Sequence, residues 1–268
     1  MCEFISASGV VEARTLSAPL VEGLATGRLL AVRIPDYCDF ETCRHLLASI
    51  ADIAGVGYVD EESFKKKIGG AVYDAAHDPN QLNDHFDRTP EWFAACREAF
   101  SPYQSPSDKI RLELQEQWPH GFDLQHFHGH IAFVGLIRSM GVGAEALAHQ
   151  DMTEWDIPHI AEAHGFEAQL SCVTYFEVAE EGGELELWNF GFTDQEEYNR
   201  NKTRQDHYSL DRGRIGEPAA TLTPRVGELI VFNAKRIHAV RAIKKGVRTS
   251  QSLFIGYRGN NRQLSGFC

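Results

Sequence analysis

The pattern of apolar and polar positions divides the chain into two regions. Up to about residue 120, apolar residues recur at helical spacing after one early strand, Leu29–Ile34. Three of the predicted helices begin at a residue that can cap them: Asp39, Thr89 and Ser105. Asp, Thr and Ser accept hydrogen bonds from the free N–H groups of a first helical turn, and a proline follows the latter two at a position where it is tolerated. Residues 1–120 are therefore predicted to be a mainly helical support region.

After residue 130 the pattern changes to short runs rich in β-branched and aromatic residues, bounded by glycine, proline and asparagine. The predicted strands are Ile131–Ser139, Glu145–His149, Leu170–Val178, Glu184–Asn189, Ala220–Thr223, Glu228–Phe232, Ile237–Ile243 and Gln251–Tyr257. Strands without intervening helices favour a sandwich or jelly roll with the N-terminal helices packed outside. No linker divides the chain, so we expect one domain over residues 1–268.

Residues 190–218 interrupt this series with a long polar segment. Segments of this length in compact domains are usually functional or disordered. Since it lies between strands that carry the candidate chemistry described below, we expect a lid-like insertion.

Charge and composition narrow the classes of function. The net charge is −12, from 26 basic and 38 acidic residues, which argues against a nucleic-acid partner, and the run Lys65–Lys67 is interpreted as solvated surface. No apolar run is long enough for a membrane span and no signal peptide is evident, so no membrane partner is expected. The six cysteines contain no CxxC pair and are expected to be reduced thiols in a cytoplasmic protein. The oligomeric state stays open.

Two histidines and one aspartate form the leading candidate for a metal site. His149 and Asp151 are separated by one residue at the end of a predicted strand, and His238 begins another strand. Two imidazoles and a carboxylate on one face of a metal leave coordination positions open, as non-heme Fe(II) oxygenases require. Arg248 follows ten residues after His238, and Ser250 two residues later. On one inward-facing strand, a guanidinium and a hydroxyl could bind a carboxylate together.

The joint pattern H-x-D … H-x₉-R-x-S resembles that of Fe(II)/2-oxoglutarate-dependent oxygenases, over roughly residues 130–258. The resemblance implies a mainly β, double-stranded β-helix (jelly-roll, cupin-like) core flanked by helices. It also implies an enzyme that uses Fe(II), 2-oxoglutarate and O₂, with His149, Asp151 and His238 as iron ligands. Arg248 and Ser250 would hold the distal carboxylate of 2-oxoglutarate.

Two further resemblances concern single residues. The stretch LSCVTYFEVAEEGGELELW is similar to the central strands of the prolyl-4-hydroxylase-like branch, which implies that Tyr175 faces 2-oxoglutarate. The stretch LIRSMGVGAEALAHQD, which contains Arg138, resembles freestanding aliphatic halogenases. Those enzymes have glycine where this chain has Asp151, so we expect hydroxylation rather than halogenation.

A second histidine cluster, QHFHGH, places His126, His128 and His130 at alternate positions. No carboxylate follows at a useful spacing, so we do not expect a metal site there. His130 is kept as a candidate for the substrate pocket. Arg138 is either a clamp for a substrate carboxylate or part of a structural ion pair. Trp188 either faces the pocket or packs in the core, and packing is the favoured alternative.

The expected reaction is hydroxylation of an unactivated C–H bond in a small molecule, namely a free amino acid or a compact derivative. Two alternatives stay open. One is oxidative tailoring of a larger alkaloid or peptide by hydroxylation, desaturation or cyclisation. The other is a non-catalytic jelly roll that binds metal or 2-oxoglutarate as a sensor. The complete H-x-D … H-x₉-R-x-S pattern argues against the sensor.

Overall fold

The computed structural model of the chain describes residues 4–5, 9–58, 61–76, 78–204 and 207–268. The strands are β1 (Phe4–Ile5), β2 (Val10–Glu12), β3 (Ala31–Ile34), β4 (Val56–Tyr58), β5 (Glu61–Ile68), β6 (Phe122–Leu124), β7 (His126–Phe127), β8 (His130–Ile131), β9 (Leu136–Met140), β10 (Ala146–His149), β11 (Ala168–Glu177), β12 (Leu185–Leu187), β13 (Ala220–Leu222), β14 (Leu229–Asn233), β15 (His238–Val240), β16 (Arg248–Tyr257) and β17 (Leu264–Phe267). The α-helices are α1 (Ala18–Ala25), α2 (Phe40–Ser49), α3 (Pro79–Asp87), α4 (Thr89–Phe100), α5 (Pro106–Gln117), α6 (Thr153–Asp156), α7 (Gln195–Arg200) and α8 (Arg212–Ile215). Short 3₁₀ helices cover Val72–Ala75 and Ala161–Ala163.

Most of the strands belong to two sheets that face each other. Within the described residues, the larger sheet has eleven strands along the path β1-β2-β3-β14-β11-β16-β9-β5-β4, with β17 beside β16 and β6 beside β17. The smaller sheet has the order β10-β15-β12-β13, and β7 and β8 form a separate hairpin. This is the predicted mainly β, double-stranded β-helix flanked by helices, and its sheets do not close into one continuous barrel.

The two faces of the larger sheet have different partners. Alternate residues of a strand point to opposite faces. Cys172 and Leu253 share one apolar cluster with residues of α1, α2 and α5. Val173 and Tyr175 belong to another cluster, together with residues of the smaller sheet such as Leu185. The inner cluster is therefore the space between the two sheets, and the helices cover the outer face.

Two of the predicted helix caps are confirmed and one is displaced. Asp39 accepts a hydrogen bond from the Thr42 N–H, and Ser105 accepts one from the Ser107 N–H. Thr89, predicted as an N-cap, is instead the first helical residue, and Arg88 precedes it without a side-chain cap. The reason is that α3 ends at Asp87, one residue earlier, and Arg88 keeps a right-handed helical backbone conformation.

The prediction that residues 1–120 are mainly helical after one strand is incomplete, because the hairpin β4–β5 also pairs with β9 in the larger sheet. The strand predicted over Ile131–Ser139 is wrong in its middle. Residues 132–135 are not a strand, and they connect β8 of the separate hairpin to β9 of the larger sheet. Gly135 lies there with φ of +102°, and a Cβ at this position would approach the Ser107 Oγ to 2.6 Å. Only glycine fits this turn without strain.

None of the described helices is long and apolar enough to cross a membrane. The cysteines in the described part of the chain are free and buried, namely Cys38, Cys43, Cys96, Cys172 and Cys268. Cys2 lies outside the described residues.

The segment 190–218 contains α7 and α8 and is fastened to the smaller sheet. The Gln150 amide exchanges two hydrogen bonds with the backbone of Phe192, at 2.7 and 2.8 Å. The Leu210 N–H donates to the Ala148 carbonyl at 2.7 Å. Buried Glu186, on β12, accepts hydrogen bonds from Arg212 of α8 and from Arg241. The segment therefore attaches to the end of β10 at Ala148 and Gln150 and to β12 at Glu186.

We expect Glu186→Gln to loosen the segment 190–218, because the neutral amide cannot accept charge-assisted hydrogen bonds from both arginines. Burial opposes ionisation of Glu186, but the hydrogen bonds from Arg212 and Arg241 lower its pKa. The anchoring is therefore complete at neutral pH and is lost as the pH falls through that lowered pKa. Limited trypsin digestion at pH 7.5 should cleave within 190–218 several-fold faster in the variant.

Glu180→Gln is the matched control, because it removes an exposed ion pair with Lys245 and such pairs contribute little to stability. Equal cleavage rates in wild type and Glu186→Gln would contradict the anchoring role.

Candidate active site

Strand pairing brings the two histidines of the predicted triad together. His149 ends β10, His238 begins β15, and the two are direct partners in the antiparallel pairing of these strands. Asp151 lies two residues beyond His149, and its N–H donates to the Ala234 carbonyl. The ligand atoms of the three side chains all lie within 4.8 Å of one another. Local pairing thus converts two distant sequence motifs into one cluster.

Hydrogen bonds fix which nitrogen of each imidazole faces Asp151. The Nδ1 of His149 lies 2.6 Å from the Leu147 carbonyl, and the Nδ1 of His238 lies 3.0 Å from the Arg236 carbonyl. A carbonyl only accepts, so both Nδ1 atoms carry the proton and both Nε2 atoms keep a lone pair. The Nε2 atoms lie 3.5 Å (His149) and 3.4 Å (His238) from the Asp151 carboxylate oxygens. Three donor atoms therefore converge on one point.

Electrostatics keep two of these groups in the protonation states that bind metal. Burial, and after it the charge of nearby His238, lowers the pKa of His149 to about 4. Burial alone would raise the pKa of Asp151, but the hydrogen bond and charge of His238 bring it below its usual value. Neutral imidazole and ionised carboxylate are the ligand forms that a divalent cation needs. Two imidazole nitrogens and one carboxylate fit Fe(II) with open coordination positions.

Arg248 is buried on the inner face of β16. Its Nη1 lies 3.0 Å from the Met140 sulfur, its Nη2 lies 3.3 Å from the Tyr175 hydroxyl, and the guanidinium lies over the Tyr175 ring. Among the described residues, its Nε has no hydrogen-bond partner and no acid forms an ion pair with it. Ser250 is the direct strand partner of Tyr175. A buried guanidinium in this state is suited to receive an anion.

Arg138 lies next to this group on the neighbouring strand. It is the direct partner of Ser250 across β9 and β16, and its Nη2 donates to the Ser252 hydroxyl at 3.0 Å. Its charge lowers the pKa of both His149 and Asp151. Arg138 therefore faces the interior within the electrostatic field of the triad.

The other two candidate residues lie differently. Trp188 is 1% exposed, its Nε1–H donates to the Gly216 carbonyl at 3.0 Å, and Arg212 lies over its ring. It thus packs beneath the segment 190–218, which favours the packing alternative. His130 is half-buried and stacks on Phe86 with ring centroids 5.3 Å apart. The described residues whose ligand atoms converge are those of the triad, and the QHFHGH run is not among them.

Sequence reasoning missed Lys66, which was interpreted as part of a solvated run. Its Nζ lies 3.1 Å from the Asp74 carboxylate, and both side chains are only 17% exposed. Lys66 is also the direct strand partner of Arg138, so it faces the same interior. The signal that could have found it is the period of two along a strand, which places Lys66 opposite in direction to Lys65 and Lys67.

Residues 135–256 match the family model described as the 2OG-Fe(II) oxygenase superfamily. These residues contain the triad, Arg248, Ser250, Tyr175 and Arg138. The match thus covers the part of the chain that carries the predicted site. The chain is an Fe(II)/2-oxoglutarate-dependent dioxygenase, and its cofactors and cosubstrate are Fe(II), 2-oxoglutarate and O₂, as the resemblance implied.

Known proteins similar to this dioxygenase span nearly its whole length. The L-isoleucine 3(1)-dioxygenase of Pantoea ananatis (strain AJ13355) is 24% identical over 274 residues, covering 97% of this chain and 90% of that protein. A crystal structure of an N-substituted L-amino acid dioxygenase from Burkholderia ambifaria AMMD has a TM-score of 0.62 at 12% identity, covering 94% and 91% of the two chains. The same protein in complex with alpha-KG has a TM-score of 0.60 at 13% identity. The structural likeness supports the fold.

In this dioxygenase, the segment 190–218 also contacts β10, the strand that carries His149. The Tyr208 hydroxyl accepts the Leu147 N–H at 3.1 Å, while the Leu147 carbonyl accepts the Nδ1–H of His149. The Tyr208 ring meets the His149 ring edge to face, with centroids 5.5 Å apart. Because β10 is an edge strand, Tyr208 satisfies a backbone group that the sheet leaves unpaired. It helps to orient His149.

We expect Tyr208→Phe to weaken divalent metal binding by up to about tenfold, because partners that orient a metal ligand contribute to affinity. Mn(II) titration of the metal-free protein, followed by electron paramagnetic resonance, measures this without turnover. Tyr103→Phe is the control, since Tyr103 is exposed and contacts His45. Unchanged Mn(II) affinity in Tyr208→Phe would contradict the orienting role.

Proposed function

We propose that this dioxygenase hydroxylates an unactivated C–H bond of a free amino acid or a compact amino acid derivative. His149, Asp151 and His238 are its iron ligands. The observation that carries the substrate class is the position of Arg138, a cation beside the triad on the inner face of the sheet. The relatives named as L-isoleucine and N-substituted L-amino acid dioxygenases support it.

The binding of 2-oxoglutarate is assigned to Arg248, Ser250 and Tyr175. The buried guanidinium and the two hydroxyl groups lie on one face, and the unpartnered Nε of Arg248 adds a further donor. A carboxylate accepted there gains charge-assisted hydrogen bonds and removes the cost of an uncompensated buried charge. The distal carboxylate of 2-oxoglutarate supplies that anion.

The side chains of the proposed site orient the substrate and exclude water. When bound, Fe(II) and 2-oxoglutarate supply the oxidising chemistry, in which O₂ is consumed and 2-oxoglutarate becomes succinate and CO₂. Arg138 binds the substrate carboxylate and so fixes which C–H bond faces the triad. The segment 190–218 closes one side of the site through Tyr208 and Phe192. We assign the whole chain, residues 1–268, to one oxygenase domain, because β3 and the β4–β5 hairpin extend the sheet that carries Arg248.

The direct test is succinate release from 2-oxoglutarate, with Fe(II) and O₂, across a panel of free L-amino acids. Strong stimulation by one or a few members, with a product heavier by one oxygen atom, is the expected result. Slow release that no amino acid stimulates would contradict the substrate class and favour a larger natural product.

We expect Arg248→Ala to raise the KM for 2-oxoglutarate by about tenfold or more, because loss of a buried charge pair costs several kcal/mol. The measurement is initial-rate succinate release as a function of 2-oxoglutarate concentration. Arg225→Ala is the control, since its ion pair with Glu12 is exposed and contributes little. An unchanged KM in Arg248→Ala would refute the assignment of the 2-oxoglutarate site.

A further inference from the structure

A row of polar side chains crosses the inner face of the larger sheet. Lys66 is paired with Arg138, and Arg138 is paired with Ser250. Direct strand partners point to the same face at Cβ distances of about 5 Å. Leaving the assigned 2-oxoglutarate site at Ser250, the row therefore continues with two cations, Arg138 and then Lys66.

An acidic residue of the described part of the chain, Asp74, contacts Lys66 from outside the sheet. Asp74 lies in the 3₁₀ helix Val72–Ala75, and its Oδ2 accepts hydrogen bonds from Lys66 Nζ at 3.1 Å and from the Ala71 N–H at 3.0 Å. Among the described residues, nothing donates a hydrogen bond to its Oδ1. The carboxylate is thus held in one orientation with one oxygen available as an acceptor.

The contacts of Cys268 indicate that Asp74 and Arg138 lie near the same part of the larger sheet. The Cys268 thiol donates to the Ser252 carbonyl at 3.1 Å, and Arg138 donates to the Ser252 hydroxyl. The Val72 N–H donates to the Cys268 carbonyl at 2.8 Å, which fixes the 3₁₀ helix that carries Asp74. Burial raises the pKa of Cys268 to about 11, and Arg138 and Asp74 act on it with opposite signs. Both charges therefore lie within electrostatic range of one thiol.

We propose that Asp74 binds the α-ammonium group of a free amino acid whose α-carboxylate binds Arg138. The proposal rests on the amino acid substrate class of the proposed function and adds a specificity-determining residue to it. The ammonium group donates to the Asp74 Oδ1. Lys66 and the Ala71 N–H hold the Asp74 carboxylate in position. An N-acylated amino acid lacks this positive charge, so the pair selects the unmodified zwitterion.

His85, near Asp74, does not compete with the substrate ammonium group as a cation. His85 is buried, and its Nε2 has no hydrogen-bond partner in the described part of the chain. Burial lowers its pKa to about 4, although the charge of Asp74 opposes that shift. His85 is therefore neutral near pH 7 and adds no cation that would occupy Asp74.

The test compares binding of free and N-acetylated amino acids by calorimetry. Wild type and Asp74→Asn are loaded with Mn(II) and 2-oxoglutarate without O₂, and a set of L-amino acids is titrated beside the N-acetyl derivative of each. We expect Asp74→Asn to bind the preferred free amino acid about tenfold or more weakly, because a charge-assisted contact is lost. Binding of its N-acetyl derivative should be unchanged. Asp74→Glu, which retains the charge, should recover part of the affinity.

Asp108→Asn is the matched control, because Asp108 is in half-buried contact with Arg111 on α5 and lies outside the proposed site. It should leave both affinities unchanged. Equal weakening of free and N-acetylated ligands in Asp74→Asn would show a structural role and overturn the proposal. So would a wild type that binds no free amino acid better than its N-acetyl derivative.

The calorimetry separates this proposal from the proposed function. If wild type binds a free amino acid in an Asp74-dependent way but releases no additional succinate with it, the hydroxylation proposal fails and the ammonium site is supported. If succinate release is stimulated but binding does not depend on Asp74, the ammonium site fails and the hydroxylation proposal is supported.

Discussion

The pairing of β10 with β15 is the constraint on which the site depends. It sets His149 opposite His238, and the two Nδ1–H···O=C bonds turn both Nε2 atoms toward Asp151. A shift of this pairing by one residue would turn one imidazole to the other face of the sheet. Gln150 and Ala148, beside His149, are both fastened to the segment 190–218. The insertion thus covers the free edge of the strand that carries His149.

Charge is distributed unevenly between the surface and the interior. The chain has a net charge of −12, yet the inner face of the larger sheet carries Arg248, Arg138 and Lys66 within a few strands. An acidic exterior disfavours polyanions such as nucleic acids. The cationic interior favours small carboxylates that can enter it. In the proposed function, the same sheet face holds two carboxylate sites, the first at Arg248 and the second at Arg138.

The sequence allowed much of the β core and the metal motif to be predicted, because both depend on local signals. Runs rich in β-branched and aromatic residues located β11 and β16 within a few residues, and the H-x-D pair with His238 needs only a strand end and a strand start. The β4–β5 hairpin was missed because EESFKKKI has the composition of a solvated surface, and its strand state depends on pairing with β9. At such positions, strand pairing in the tertiary structure outweighs the intrinsic secondary-structure propensity of the residues.

The residues of the proposed substrate site were harder to predict for the same reason. Asp74 lies in a 3₁₀ helix with no motif around it, and its meeting with Lys66 depends on how that helix docks on the C-terminal strand. The position of Trp188 also depends on long-range packing, because the segment 190–218 encloses it. Side chains set by long-range packing leave little local signature.

In the proposed site, His149, Asp151 and His238, rather than the QHFHGH run, hold the iron beside 2-oxoglutarate. The most direct measurement is the visible charge-transfer absorption formed when Fe(II) and 2-oxoglutarate are mixed with the protein without O₂. We expect the band in wild type and in His128→Ala, and its loss in His238→Ala. A band retained in His238→Ala and lost in His128→Ala would instead place the iron at the QHFHGH run.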